Sequence, residues 1–156
     1  GDSAGANLAA AICLELRNFD GPRPVLQLLI YPAVNSLADT QSLKENAQGY
    51  LLTRSAIGKF LEWYLPNQSL RADPRVSPQL AEHHTDLPRA WIQTAEFDPL
   101  RDEGEIYART LAKCGVEVEY KCYEGMVHGF LRMGAQVDRA IEAMDDAARA
   151  LRSALY

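Results

Sequence analysis

The sequence lacks any tract of Lys and Arg. Its 16 basic residues are scattered and outnumbered by 21 acidic ones, for a net charge of −5. With a pI near 5.2, that balance argues against a nucleic-acid phosphate backbone as partner. No apolar run approaches the ~18–20 residues that a membrane-spanning helix requires. Cysteine is scarce: Cys13, Cys114 and Cys122 are odd in number and show no CxxC spacing. Neither a disulfide framework nor a zinc site is therefore expected, and a reducing compartment, the cytoplasm, is. The plain expectation for the three thiols is small apolar packing. An initiator Met is also missing, and the chain opens directly on GDSAG. A motif centred on residue 3 with no strand before it reads as the later part of a domain whose first strands lie upstream. The lack of a leader peptide then says nothing about export.

What is present fits one globular domain or part of one, with 156 residues of which 47% are hydrophobic. Residues 3–16 (SAGANLAAAICLEL) are apolar nearly all round, the pattern of a helix buried on most sides. Residues 25–31 (VLQLLIY), closed by Pro32, form a short continuous apolar run. Such a run predicts a strand covered on both faces. Residues 32–53 are polar and irregular and read as loop. Ile57, Phe60, Leu61 and Tyr64 then recur at one-face helical spacing, with Thr53 or Ser55 as the cap. Residues 66–88, punctuated by Pro66, Pro74, Pro78 and Pro88, read as a long excursion.

Beyond it the pattern is regular. Residues 90–95 predict a strand, and 102–114 a helix stopped at Gly115. Val116, Val118, Tyr120 and Cys122 alternate with polar neighbours, the mark of a half-buried strand near a sheet edge. Val137, Ile141, Met144, Ala148, Leu151 and Leu155 predict the buried stripe of a last helix. Strands alternating with helices imply an α/β fold, a mostly parallel sheet with helices on both faces.

Gly1-Asp2-Ser3-Ala4-Gly5 matches G-x-S-x-G. The pattern suits a sharp strand-to-helix turn that lifts a serine hydroxyl clear of the sheet, with glycine expected at both outer positions because strand and helix pass so close. The backbone N–H of Ala4, at the helix start, is then placed to donate to an oxyanion. Alone the motif is weak; the helix that follows strengthens it. Serine needs a base. His83 and His84 lie in the Pro-rich excursion and read as solvated loop. His128 follows the last strand within GMVHGF, where parallel α/β sheets place their sites, and its flanking glycines allow a turn back over the serine. Asp98, at the end of the 90–95 strand, is the acid that would hold the imidazole tautomer. Its plainer role is a helix N-cap. Asp102 is a rival carboxylate, favoured at that helix start by the dipole alone.

Together GDSAGANLA, VLQLLIYPAVN, DPRVSPQLA, AEFDPLRDEGEIYA and YEGMVHGF resemble the hormone-sensitive-lipase-like esterases, the bacterial type IV group of the α/β-hydrolase fold. The resemblance covers essentially all 156 residues, which read as one partial catalytic domain beginning at the nucleophile elbow. It implies Ser3 as nucleophile, Asp98 as acid, His128 as base and Ala4 N–H as an oxyanion donor. It also implies two-step acyl transfer on a small-molecule ester of short-to-medium acyl length, with neither metal nor organic cofactor. The chain departs from the family at Ala6, where a glycine is usual. It also contains no counterpart of the family's HGGG loop, whose N–H groups complete the oxyanion hole. These 156 residues alone are therefore expected to be poorly active or inactive. Other readings on the same scaffold are a non-catalytic small-molecule binder, or an amidase, peptidase or thioesterase using the same three side chains. Tyr50, Phe60, Trp63 and Tyr64 read first as packing residues and second as pocket lining.

Overall fold

The computed structural model describes all 156 residues, Gly1–Tyr156. Three strands, β1 (Leu26–Ile30), β2 (Arg89–Phe97) and β3 (Val118–Val127), form a sheet in the order β1-β2-β3. Both pairings are parallel. Five α-helices accompany it: α1 (Ala4–Glu15), α2 (Gln41–Glu45), α3 (Arg54–Tyr64), α4 (Arg101–Lys113) and α5 (Asp138–Leu155). Parallel neighbours need crossovers, and here β2 crosses to β3 through α4.

The strand residues divide by pleat. Leu29, Ile92 and Val118 face α1 and α4, where they join Ala6, Ala10, Tyr107 and Leu111 in the largest core cluster. Ile30, Ala95 and Tyr123 face the other way, toward Phe130 and the Ala140 and Ala143 positions of α5. The expected α/β layering, with helices on both faces, is therefore present.

Several expectations are corrected. Residues 32–53 contain the short helix α2, capped by the Thr40 side chain, which accepts from Leu43 N–H. The 66–88 excursion is folded into two 3₁₀ turns, Gln68–Ala72 and Pro78–Leu80. His84 is not solvated loop: it is 3% exposed, bonded to the Pro78 carbonyl at 2.9 Å and edge-on to Tyr107. Burial holds its pKa below the usual value.

The first helix, expected to be buried on most sides, buries Ala6, Asn7, Ala10, Ala11 and Cys13 and leaves a stripe with Leu8 and Ile12 about half exposed. β1 is buried on the α1 side at Gln27 and Leu29, but Leu26 and Leu28 are only half-buried on the other. Its outer edge is partly paired: the Ile30 N–H donates to Gly1 C=O, Ser3 N–H donates to Ile30 C=O, and the Gly1 amino group reaches Leu28 C=O. Tyr123, placed by alternation on the wet face of β3, is 2% exposed beneath α5.

The largest correction concerns α5. Its buried residues are Ala140, Ala143, Asp146, Ala147 and Ala150, while Ile141, Met144, Leu151 and Leu155 of the expected core stripe are 42–57% exposed. The apolar stripe and the buried stripe lie side by side on the helix. Alanine wins the sheet side because a helix with short side chains approaches closely enough for Tyr31, Tyr123 and Phe130 to fill the space between.

Candidate active site

Ser3 stands between Asp2, which forms an isolated parallel bridge with Ile30, and α1. Its backbone has φ 55° and ψ −121°, a region costly for a side-chain-bearing residue, on the order of 1–3 kcal/mol. The surroundings hold it there. Ser3 N–H is tied to Ile30, and Ser3 C=O accepts from Ala6 and Asn7 N–H. Gly1 is obligatory, because a Cβ there would lie 2.4 Å from Gly5 C=O. Gly5 is not: an added Cβ meets nothing within 4 Å. The expectation of steric need at both glycines thus holds for Gly1 alone.

The Ser3 hydroxyl lies 2.9 Å from His128 Nε2, across 125 residues of sequence. His128 Nδ1 lies 2.7 Å from Asp98 Oδ2. Asp98 is fully buried, and its other oxygen accepts from Leu100 N–H at 2.8 Å. That second bond is a local contact two residues on and not the N-cap anticipated for Asp98: the N-cap position of α4 is Leu100, and no side chain caps the helix. Asp102 does not approach His128. Its Oδ2 accepts from Ser42 N–H and its Oδ1 from Arg101, so it anchors α2. His83 is on the surface beside Glu82.

The turn carrying His128 is built from both sides. β2 and β3 slip register between Ala95 and Phe97, and Gly125, at φ 75°, donates its N–H to Glu96 Oε2 at 2.7 Å. Gly129, at φ 81°, closes the turn. Such angles favour glycine. The imidazole rests on the Tyr31 ring, with centroids 4.6 Å apart. Asp2 accepts from Arg132 at 2.9 Å, linking the serine turn to the 3₁₀ turn after His128. Neither Asp2–Arg132 nor Tyr31–His128 was visible in the sequence, because each joins residues about a hundred or more positions apart.

Ala4 is the first residue of α1, where N–H groups lack an intrahelical acceptor. Ser3 and His128 open onto a cavity of about 330 Å³. Its walls are mainly apolar, with Leu8, Leu43, Ile57, Leu61 and Leu100 among them. Phe60 and Tyr64 line it too, whereas Tyr50 stacks on Phe97 and Trp63 is 71% exposed. A single carboxyl, Glu103, reaches this lining. No three His, Cys, Asp or Glu side chains converge as a metal-ligand set, and no helix is long and apolar enough to cross a membrane.

The sequence profile of a family described as alpha/beta hydrolase fold matches residues 1–132. The chain belongs to that family. Among curated relatives, carboxylic ester hydrolase LipN of Mycobacterium tuberculosis is 44% identical over 138 residues, 85% of this chain and 37% of that one. Ethyl acetate hydrolase of Pseudomonas putida is 35% identical, over 99% of this chain and 49% of that protein. Among solved structures, EstE1, a thermophilic carboxylesterase cloned from a metagenomic library, superposes with a TM-score of 0.96 at 40% identity, over 100% of this chain and 54% of that one. The resemblance to hormone-sensitive-lipase-like esterases agrees with these relatives. The chain spans about half the length, or less, of these curated relatives.

Proposed function

We propose that this chain carries the reacting side chains of a serine carboxylic-ester hydrolase: Ser3 as nucleophile, His128 as base and Asp98 as acid. The observation that carries the reading is the continuous line of hydrogen bonds from Ser3 Oγ through the imidazole to the buried Asp98, at 2.9 and 2.7 Å. The esterase names of the relatives support the same class.

In this reading His128 Nε2 takes the Ser3 proton as Oγ attacks the ester carbonyl. Asp98 accepts the Nδ1–H, holds the tautomer and stabilises the imidazolium while staying ionised. The oxyanion receives the Ala4 N–H, and the resemblance implies further donors from an HGGG loop. Collapse breaks the ester C–O bond, and His128 returns the proton to the leaving alcohol. Water, deprotonated by His128, then attacks the acyl-serine and releases the acid. The apolar cavity beside Ser3 suits the hydrocarbon arm of a short-to-medium acyl ester. No step calls for a metal or organic cofactor, and the cysteine pattern favours the cytoplasm as compartment.

The test is made on the protein at its natural length. A fluorophosphonate should label Ser3 covalently, and Ser3→Ala should lower kcat by ~10⁴–10⁶. Unlabelled Ser3 would favour a binder on the same fold. Near-normal ester turnover by Ser3→Ala would remove the nucleophile assignment.

A further inference from the structure

Glu103 is a buried carboxyl that the chemistry above does not use. It sits in the first turn of α4 and is 4% exposed. Its Oε1 accepts from two successive backbone N–H groups, Val34 at 2.6 Å and Asn35 at 3.2 Å. From the opposite side Asn7 Nδ2 donates to the Ala33 and Val76 carbonyls, at 2.7 and 2.8 Å. Residues 33–36 are irregular backbone, and Ala33, Asn35 and Ser36 form one wall of the cavity that contains Ser3 and His128. A loop wall has no sheet or helix ladder to fix it, so side chains must satisfy its N–H and C=O groups. Glu103 does so for two donors at once.

We propose that Glu103 is a positioning residue of this cavity: it fixes the 33–36 wall against which the hydrocarbon arm of an ester lies, and its charge state sets how well that arm is accepted. This inference rests on the esterase reading for the identity of the ligand.

Burial raises the Glu103 pKa to about 8, against the pull of its two N–H donors. Of the charged groups around it, Asp98 at the end of β2 pushes in the same direction. Tyr64 and His128 are the only other titratable side chains lining the cavity. The 33–36 wall and the Asn7 side of α1 bring none, and Asp102 beside it on α4 is held by Ser42 and Arg101. Below its raised pKa the protonated carboxyl is favoured. As pH rises through about 8 the carboxyl ionises, and a charge in the wall of an apolar cavity is a poor neighbour for a hydrocarbon arm. The sign for stability is the same. The raised pKa contributes stability fully present below the ordinary value of 4.5 and lost as pH rises through about 8.

The experiment uses the natural-length protein and p-nitrophenyl hexanoate. Glu103→Ala should raise KM about tenfold with less than about a threefold loss of kcat, since it leaves two buried N–H groups unpaired away from the reacting atoms. Glu103→Gln keeps an oxygen acceptor and should recover most of that KM. In the wild type KM should rise about fivefold between about pH 7 and about pH 9.5, and in Glu103→Gln that ratio should fall to about one. A ratio unchanged by Glu103→Gln, or a kcat loss in Glu103→Ala with KM unmoved, overturns the proposal. Equilibrium binding of methyl hexyl ketone in a Ser3→Ala background separates it from the esterase reading. If no ester is turned over, that reading falls. The ketone still decides Glu103: a dependence on pH lost in Glu103→Gln sustains the positioning role, and pH-independent binding by both proteins removes it.

Discussion

On the face of the sheet covered by α1 and α4, the interior is filled from both sides. Leu29 and Ile92 from the strands meet Tyr107 and Leu111 from α4, and all four are fully buried. On the face covered by α5, the helix brings only alanines and Asp146, while the volume comes from Tyr31, Tyr123 and Phe130. Under α4 the first face is closed by matched large side chains, although α1 beside it brings Ala6, Ala10 and Ala11; the second face is closed by close approach of α5. The second also carries a charged clasp between helix and strand: Asp146 accepts from Lys121 at 2.6 Å and from the buried Tyr123 hydroxyl at 2.7 Å. The proposed reacting groups are divided between the two. Ser3 leads into α1, whereas His128 rests on Tyr31 of the aromatic group under α5. The contrast shows that apolarity alone does not choose a helix's buried side; the gap to be filled does.

That contrast can be broken by substitution. The largest effect is expected on the matched face. Ile92→Ala, at a fully buried position on the central strand, should cost about 2–5 kcal/mol in chemical denaturation. A loss below ~1 kcal/mol would mean that this face collapses around the void. On the close-approach face, the sharper probe is enlargement. Ala143→Leu, at a position with no exposed surface, should cost about 1–3 kcal/mol by overpacking. A neutral result would deny that the alanine stripe sets the distance of α5 from the sheet.

The smallest effect belongs to the clasp. Lys121, then Tyr123 and Arg149, hold the Asp146 pKa down to about 2 against the opposing effect of burial. A lowered carboxylate pKa contributes stability present above the ordinary value of 3.8 and lost as pH falls through about 2. Asp146→Asn should therefore cost about 1 kcal/mol at neutral pH. The gap between variant and wild type should close as pH falls toward the lowered pKa. A gap of constant size across that range would assign the clasp to packing instead of charge.

Much of the fold was legible because local patterns carried it. The alternation leading into β3, the one-face spacing of α3 and the Gly115 stop of α4 are all short-range signals, and each element lies within a residue or two of its expected place, apart from the C-terminal extension of β3 to Val127. The G-x-S-x-G turn and the serine, aspartate, histidine order were legible for the same reason. What failed to show were properties of the gaps between elements. Nothing local distinguishes the Ala140–Ala143–Ala147 side of α5 from the larger stripe beside it. Nothing in the Pro-rich excursion announces that His84 is buried. Nothing local marks Glu103 either, because its partners, Val34 and Asn35, lie 69 and 68 residues away.

The sequence by itself determined the parts: parallel strands with crossover helices, a serine on a glycine-flanked turn into a helix, and a histidine between two glycines after a strand. These follow from periodicity and from backbone angles that few residues adopt, which are local properties. Tertiary structure alone decided that Ser3, His128 and Asp98 stand within hydrogen-bonding distance, that Asp102 does not join them, and that α5 turns its alanines inward. Those outcomes depend on strand register, on the distance between layers and on which buried polar groups find partners. Such quantities exist only once distant segments are packed together.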